Sequence, residues 1–194
     1  IEAIEQPVFD FIPGQFVTLD LPISERPSQR MRSYSIASAP MGDNLFELLI
    51  SHKEGGLGST YLFDEAGEGA SLKFRGPAGK FVLPATLDRP IVMISTGTGI
   101  APFRSQILHL LHHQIPVPEI HLVFGTRKES DILYHNELLE LAKNSNEDTF
   151  ADFKKSRKNN LKIGFKVGFA ETKKTSHPMS SEIKKKEYNP FRHY

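Results

Sequence analysis

The chain has 194 residues, of which 39% are hydrophobic and 24% charged, and its net charge is +1. These proportions are typical of a globular protein with a buried core, and no apolar run reaches the roughly 18 residues of a membrane-spanning helix. Cysteine is absent, which excludes disulfides, thiolate metal sites and thiolate-bound iron–sulfur clusters. Redox chemistry would therefore need a bound organic cofactor, and we expect a cytoplasmic location.

Short segments of strand composition fill the first part of the chain, separated by turn residues such as Pro13-Gly14 and Gly55-Gly56. In chain order, these segments are 8–11, 16–21, 34–37, 46–51 and 72–75. Short strands broken by glycine and proline at this spacing are typical of an antiparallel barrel.

The pattern changes at Pro90, where an uninterrupted apolar run predicts a parallel strand buried on both faces. The elements predicted from there are a strand at 91–94, a helix at 103–113, a strand at 120–125 and a helix at 131–142. Strand, helix, strand and helix in this order predict a parallel sheet of βαβ type.

The last segment of the chain differs in charge from the rest. Residues 151–194 carry a net charge of +8 and residues 1–150 a net charge of −7. Within this segment only 161–169 alternates, a strand pattern that its two glycines weaken. We expect three parts: a barrel at 1–85, a partial α/β domain at 90–145 and a basic tail of uncertain structure at 146–194.

Arg32-Ser33-Tyr34-Ser35 is the first candidate binding motif. Residues two apart share one face of a strand, so Arg32 and Tyr34 can point at a single ligand. A guanidinium can clamp a phosphate and a phenol can stack on a planar ring.

Two glycine-rich turns are the other candidates. In the first, Gly56, Leu57, Gly58 and Ser59 form a loop whose backbone N–H groups can approach a phosphate closely. The second has the sequence Thr96-Gly97-Thr98-Gly99 and is followed by Pro102, which suits the first turn of a helix. Because the second turn follows a buried strand and opens a helix, it has the context of a phosphate-binding turn.

These motifs, in this order, resemble the ferredoxin–NADP(+) reductase superfamily of flavoprotein oxidoreductases. The family barrel binds a flavin through R-x-Y-S, and its nucleotide domain reads G-T-G-I-A-P-F, which matches residues 97–103. The resemblance covers roughly residues 8–143. It implies an antiparallel Greek-key flavin-binding barrel followed by a partial parallel α/β nucleotide-binding domain, with FAD preferred to FMN, and NADPH or NADH as co-substrate.

The resemblance also assigns roles within the flavin site. Arg32 would hold a flavin phosphate with Ser33 beside it, and Tyr34 would stack on the isoalloxazine ring. Ser35, the catalytic residue, would lie near flavin N5, the atom that accepts hydride. The segment containing Ile50 and Ser51 would lie along the flavin, and the loop at 56–59 would hold its phosphates.

In the nucleotide domain, the resemblance implies that the turn at 96–99, together with Pro102, receives the pyrophosphate of the nicotinamide nucleotide. Thr96 and Thr98 would offer hydroxyls beside the nicotinamide. Arg127 follows the second parallel strand and is either a phosphate ligand or an exposed loop cation. No metal site is expected, since the histidines at 109, 112 and 113 have no carboxylate nearby in the sequence.

The function implied is hydride transfer from NAD(P)H to FAD and electron delivery to a separate acceptor, such as a ferredoxin, an oxygenase component or free flavin. Neither nucleic acid nor a membrane is expected as a partner. The alternative is a flavin-binding module without turnover, because the late motifs of the family's nucleotide domain are missing after about residue 145. Truncation, a frameshift or a partial sequence would explain that loss, and a non-functional fragment is a third interpretation.

Overall fold

The structure is a computed structural model that describes residues 1–126, 128–142 and 163–169, the last of these by their backbone. The chain divides into two compact units. One comprises Ile1–Pro84 and Ala101–His113, and the other comprises Ala85–Ile100 and the chain from Gln114 onward.

An antiparallel sheet organises the first unit. Strand β1 (Phe16–Asp20) lies between β2 (Met31–Ser35) and β3 (Lys73–Ala78). The side chains of β1 alternate, so that Val17 and Leu19 are fully buried while their neighbours are partly exposed. Period-two burial of this kind is what a sheet with one covered face requires.

Aromatic rings form much of the core beneath this sheet. The Phe9 ring lies 4.7 Å from that of Phe46 and 5.5 Å from that of Phe74, measured between centroids. Phe11 is also buried. The rings bury large apolar areas, and their contacts join segments that are distant in the sequence.

The strands predicted at 8–11 and 46–51 are wrong. Phe9 and Phe46 are buried, but the Phe9 N–H donates to the Asp43 carbonyl and the Phe46 N–H to the Ile1 carbonyl, without a continuous ladder. Leu48 forms a single bridge with Ile36. The apolar pattern correctly indicated that the rings are buried. The backbone polar groups beside them are paired by isolated bridges and loop hydrogen bonds, so no strand is needed.

Strand β3 continues past Gly76-Pro77, where the sequence predicted its end. The pairing of β1 with β3 shifts register between Phe16 and Thr18, so the additional residues of β3 are accommodated as a bulge. Gly76 has a φ of 134°, and a Cβ there would lie 3.0 Å from the Phe16 carbonyl oxygen. Only glycine suits this position without strain.

A parallel sheet organises the second unit. It contains β4 (Ile91–Thr96), β5 (Ile120–Thr126) and β6 (Ile163–Phe169), in that order. Strand β6 lies within the segment expected as a tail and pairs in register with the whole of β5. An antiparallel β unit followed by a parallel α/β unit confirms the predicted fold class.

Burial of β4 on both faces is wrong. Met93 is 1% exposed, but Val92 and Ile94 are 59% and 69% exposed. Among the described residues, β4 pairs with β5 alone, so it is an edge strand of this sheet. An apolar run therefore predicted the strand correctly but not the number of layers that cover it.

Four α-helices are present in the described ranges: α1 (Pro27–Arg30), α2 (Leu57–Thr60), α3 (Ile100–His112) and α4 (135–142). Helix α2 continues as a π-helical turn at Tyr61–Glu65. None of the described helices has both the length and the apolar character needed to cross a membrane.

Two helix starts differ from the prediction. Helix α3 begins at Ile100 rather than 103, directly after a 3-10 turn at Gly97–Gly99. Helix α4 begins at 135 rather than 131, because Tyr134 has a φ of 57°. A left-handed residue cannot continue a right-handed helix, so the residues before Tyr134 form a separate 3-10 turn at Glu129–Asp131.

Candidate functional site

Strand β2 presents Arg32 and Tyr34 on one face. In the antiparallel register, Arg32 pairs with Leu19 and Tyr34 with Val17, and both partners are core residues. Ser33 faces the other way, is exposed, and shares a hydrogen bond of 2.8 Å with the Thr18 hydroxyl. The alternation therefore brings Arg32 and Tyr34 together and separates them from Ser33.

The Arg32 guanidinium is held by the backbone beside its own strand. Its Nη1 donates to the carbonyl oxygens of Gln29 and Met31, each at 2.8 Å. A guanidinium carries five N–H donors, so the remaining donors of this fork are suited to an anion. The two backbone bonds orient the cation, which reduces the entropy cost of binding a phosphate.

The glycine loop lies against this arginine. A Cβ built on Gly58 would lie 3.1 Å from Arg32 Nε and 3.2 Å from its Cγ. At Gly56 a Cβ would lie 2.9 Å from Ser59 Oγ and 3.0 Å from the Lys53 carbonyl oxygen. A side chain at position 58 would therefore displace the arginine, and one at position 56 would clash with Ser59 Oγ and the Lys53 backbone.

Ser59 shapes the loop from within. Its buried hydroxyl donates towards the carbonyls of Lys53 and Gly56, at 3.1 and 3.0 Å, and accepts from the Lys53 N–H at 3.0 Å. The expected part of Ser59 in holding the flavin phosphates stays a prediction, and its hydroxyl already has partners within the loop. Leu57, between the two critical glycines, is exposed.

The segment at 46–51 runs beside the end of β2. Ile36, which follows Ser35, bridges to Leu48, and the Ala37 N–H donates to the Glu47 carbonyl at 2.8 Å. Ser35 and Ile50 are half-buried, and Ser51 is exposed. The two segments predicted to contact the flavin are thus neighbours in space.

Burial raises the pKa of the Tyr34 phenol, while the positive charge of Arg32 opposes that rise. The phenol is therefore neutral at pH 7 and offers an uncharged ring with a hydroxyl donor. A neutral, half-buried ring beside a cation suits stacking on a planar heterocycle whose phosphate the cation holds.

These observations test whether a flavin nucleotide fits the residues present. An oriented guanidinium, a glycine loop that approaches it without a Cβ and a half-buried phenol on the same strand face supply donors for phosphate and a surface for a ring. This set fits a flavin nucleotide.

The second glycine turn belongs to the other compact unit. Gly97 has a φ of 50°, and a Cβ there would meet nothing within 4 Å, so the turn is open on that side. The turn is closed by the Ile100 N–H, which donates to the carbonyls of Gly97 and Thr98. An open turn directly before a helix of thirteen residues fits a nucleotide phosphate, because unpaired N–H groups and the helix dipole favour an anion there.

The other residues predicted for this turn differ in their exposure to solvent. Thr96 and Gly99 are exposed, Thr98 is half-buried and Pro102 is buried in the first turn of α3. Thr96 pairs with Gly125 of β5, where a Cβ would lie 3.0 Å from the Thr96 methyl group. Arg127 lies outside the described residues, and its predicted role stays a prediction.

Sequence reasoning missed Arg104 of α3. Its side chain is 12% exposed, and its Nη1 donates to the Ala37 carbonyl at 2.8 Å and to a Glu47 carboxylate oxygen at 2.6 Å. A cation within an otherwise apolar helix face is the signal that could have found it, since a buried charge needs a partner.

Two family models match the chain. Residues 3–83 match the oxidoreductase FAD-binding domain and residues 93–187 match the oxidoreductase NAD-binding domain. The second match extends through β6.

Individual relatives agree with these matches. The chain is 38% identical over 144 residues to ferredoxin–NADP reductase B of Sorangium cellulosum, an alignment covering 74% of this chain and 57% of that protein. It is 37% identical over 142 residues to a glycine betaine monooxygenase reductase subunit of Pseudomonas aeruginosa, covering 71% of this chain and 37% of the relative. The chain thus spans between about a third and just over half of these curated relatives.

A solved structure shows the same fold. The crystal structure of a cytochrome P450 reductase of Amycolatopsis superposes with a TM-score of 0.66 at 26% identity, covering 84% of this chain and 44% of that one. The oriented arginine with its glycine loop, the open turn before α3 and the two domain matches agree on one family. The chain belongs to the ferredoxin–NADP reductase-type flavoprotein oxidoreductases, with an FAD-binding domain followed by an NAD-binding domain.

Proposed function

We propose that the chain binds FAD and acts as an NAD(P)H-dependent flavoprotein reductase, passing hydride to the flavin and then electrons to a separate acceptor. The observation that carries this proposal is the close approach of Gly58 to the Arg32 side chain. It joins two motifs separated by more than twenty residues into one anion-binding surface, next to a phenol suited to stacking.

The roles of individual residues are part of the proposal. Arg32 and the loop at 56–59 hold the flavin phosphates, with Ser59 keeping the loop in shape, and Tyr34 stacks on the ring. Ser35 is the residue proposed near the reacting nitrogen, with Ile50 and Ser51 along the flavin. When bound, the flavin supplies the hydride acceptor, so no side chain of the chain has to act as a strong acid or base.

The turn at 96–99 is proposed to hold the nicotinamide nucleotide. Its support is the open side of Gly97 and the position of the turn directly before α3. Positioning of the two reacting rings is the main catalytic requirement, because the chemistry belongs to the cofactors.

We propose a protein acceptor, a ferredoxin or an oxygenase component. The relatives named above include a ferredoxin reductase and a monooxygenase reductase subunit, and the chain has no cysteine to hold an iron–sulfur cluster of its own. The cytoplasm is the proposed location, with which a chain that forms no disulfides is consistent.

The decisive experiment purifies the chain with added FAD and adds NADPH or NADH without oxygen while following the visible flavin absorbance. Rapid bleaching by either nucleotide is expected, and comparison of the two identifies the preferred co-substrate. The matched control is Arg32→Gln, which should retain much less FAD. A wild-type chain that binds FAD and stays oxidised would instead support the flavin-binding module without turnover.

A further inference from the structure

Helix α3 carries a cation, Arg104, that contacts the segments bordering the proposed flavin site. Arg104 is four residues into this helix and, with Ala101–His113, belongs to the same compact unit as the antiparallel sheet. Its side chain is largely buried, so its charge is stabilised only through the groups it contacts.

Two groups that accept hydrogen bonds from Arg104 lie in the segments that border the proposed flavin site. Ala37, whose carbonyl accepts at 2.8 Å, is two residues after Ser35, and Glu47, whose carboxylate accepts at 2.6 Å, is three residues before Ile50. The two segments are also bonded directly, from the Ala37 N–H to the Glu47 carbonyl. One guanidinium therefore holds this pair of segments to α3.

The helix has a second, separate attachment to the same unit. The buried Gln106 side chain donates from Nε2 to the Phe81 carbonyl at 3.0 Å, and the Phe103 ring lies 5.3 Å from the Phe81 ring. These contacts involve the segment after β3 rather than the flavin-side segments. Attachment of the helix therefore does not depend on Arg104 alone.

We propose that Arg104 is a positioning residue for hydride transfer. It fixes the segments that contain Ser35 and Ile50 to helix α3, and so limits the motion of the residues proposed to contact the flavin ring. This inference rests on the proposed function. Small misplacements of reacting groups cost up to about a hundredfold in rate, so a contact of this kind affects the chemical step more than binding.

The test compares Arg104→Gln, Arg104→Lys and Glu47→Gln with the wild-type chain, each loaded with FAD. Arg89→Gln is the control, because the Arg89 side chain is 88% exposed. Three quantities are measured: the limiting rate of flavin bleaching at saturating NAD(P)H, photochemical reduction without any nucleotide, and hydrogen–deuterium exchange of peptides spanning 36–50.

For Arg104→Gln we expect retained FAD, unchanged photochemical reduction and a limiting rate lowered about tenfold or more. The nucleotide concentration for half-maximal rate should change much less, and exchange over 36–50 should become faster. Arg104→Lys should recover part of the rate because it keeps the charge. Glu47→Gln should cause a smaller loss because the Ala37 bond remains.

A wild-type limiting rate in Arg104→Gln, with normal reduction of the wild-type chain, overturns the inference and leaves the proposed function intact. A wild-type chain that binds FAD but is not reduced overturns both. If Arg104→Gln fails to fold, Arg104→Lys decides: a lowered rate with FAD retained supports positioning. A wild-type rate, or loss of FAD, overturns it.

Discussion

Gly58 lies so close to Arg32 that any side chain at position 58 would contact the guanidinium stem, with a Cβ 3.1 Å from Nε. The nearest atoms belong to a flexible side chain rather than to the backbone, apart from a Leu21 methyl at 3.4 Å. A substitution here should therefore move the arginine and leave the fold intact.

Gly58→Ala should raise the dissociation constant for FAD about tenfold, since the displaced Arg32 loses a charge-assisted contact with phosphate. The free energy of unfolding should change by less than about 1 kcal/mol, because the arginine can give way. Quenching of FAD fluorescence measures the first quantity and urea unfolding the second. Gly67→Ala is the control, since a Cβ there meets nothing within 4 Å; equal FAD affinity in both variants would contradict the assignment.

Gly14→Ala should destabilise the first unit by about 2 kcal/mol or more, because it adds a clash to the cost of a left-handed residue. Gly14 has a φ of 102°, and a Cβ there would lie 1.9 Å from the Phe81 carbonyl oxygen. The matched control is Gly42→Ala, with a φ of 77° and open space around it. Thermal unfolding of both variants should show the larger loss of stability at position 14. Equal losses would mean that the Phe81 carbonyl moves away from the added methyl group without cost.

Gly97→Ala should weaken nucleotide binding with only a modest loss of stability. Its φ of 50° imposes a strain of about 1 kcal/mol on alanine, but nothing in the described chain lies within 4 Å of the new methyl group. The methyl would occupy the open side of the turn, where we propose that the pyrophosphate binds. The concentration of NAD(P)H giving half-maximal flavin bleaching measures the effect.

The control for that change is Gly69→Ala, which has a φ of 83°, open surroundings and no place in either candidate site. It should lose similar stability without any change in nucleotide dependence. Similar nucleotide dependence in Gly97→Ala would remove this glycine from the proposed site.

Neighbouring positions of β4 should lose very different amounts of stability on truncation. Met93→Ala should cost about 2 to 5 kcal/mol, because it leaves a cavity in a close-packed core. Ile94→Ala should cost less than about 1 kcal/mol, because that side chain is already in contact with solvent. Urea unfolding of the two variants measures the difference, and an equal cost at both positions would show that the outer face of β4 is covered in solution.

Lowering the pH should reduce the free energy of unfolding through protonation of His109. Burial lowers the pKa of His109 below its ordinary value of 6.5, and the neighbouring His113 and His112 lower it further. As the pH falls, His109 is protonated in the unfolded chain at a higher pH than in the folded chain. The stability contributed by neutral His109 is therefore full above the ordinary pKa of 6.5 and is lost as the pH falls through the lowered pKa.

His109→Gln should therefore flatten the dependence of unfolding free energy on pH below the ordinary histidine range. One proton contributes at most about 1.4 kcal/mol per pH unit. Urea unfolding at about pH 7.5 and about pH 5.5 measures this slope. His52→Gln, which leaves the three clustered histidines in place, is the comparison; an unchanged slope in His109→Gln would contradict the predicted shift.

Local chemistry in the sequence predicted much of the candidate site. Arg32 and Tyr34 share a face because strand residues alternate, and β2 pairs in the register that this alternation requires. The glycine turn at 97–99 lies between a strand and a helix as predicted. Such features depend on a few neighbouring residues, so they can be read from the chain alone.

Other features depended on contacts between distant segments. Phe9 is buried without a strand because rings from three segments meet around it, and an apolar pattern does not distinguish burial in a loop from burial in a sheet. The left-handed conformation of Tyr134 places the start of α4 after this residue. The conformation is rare in residues other than glycine, so no local sequence pattern indicates it.

The sequence by itself determined the order of an antiparallel unit and a parallel unit, and the motifs that could bind a flavin and a nucleotide. Only the tertiary structure decided that Gly58 meets Arg32, that Arg104 joins α3 to Ala37 and Glu47, and that one face of β4 is exposed. The physical reason is that alternation and turn chemistry act over a few residues. A close approach or a buried ion pair instead requires the whole chain to bring its two partners together.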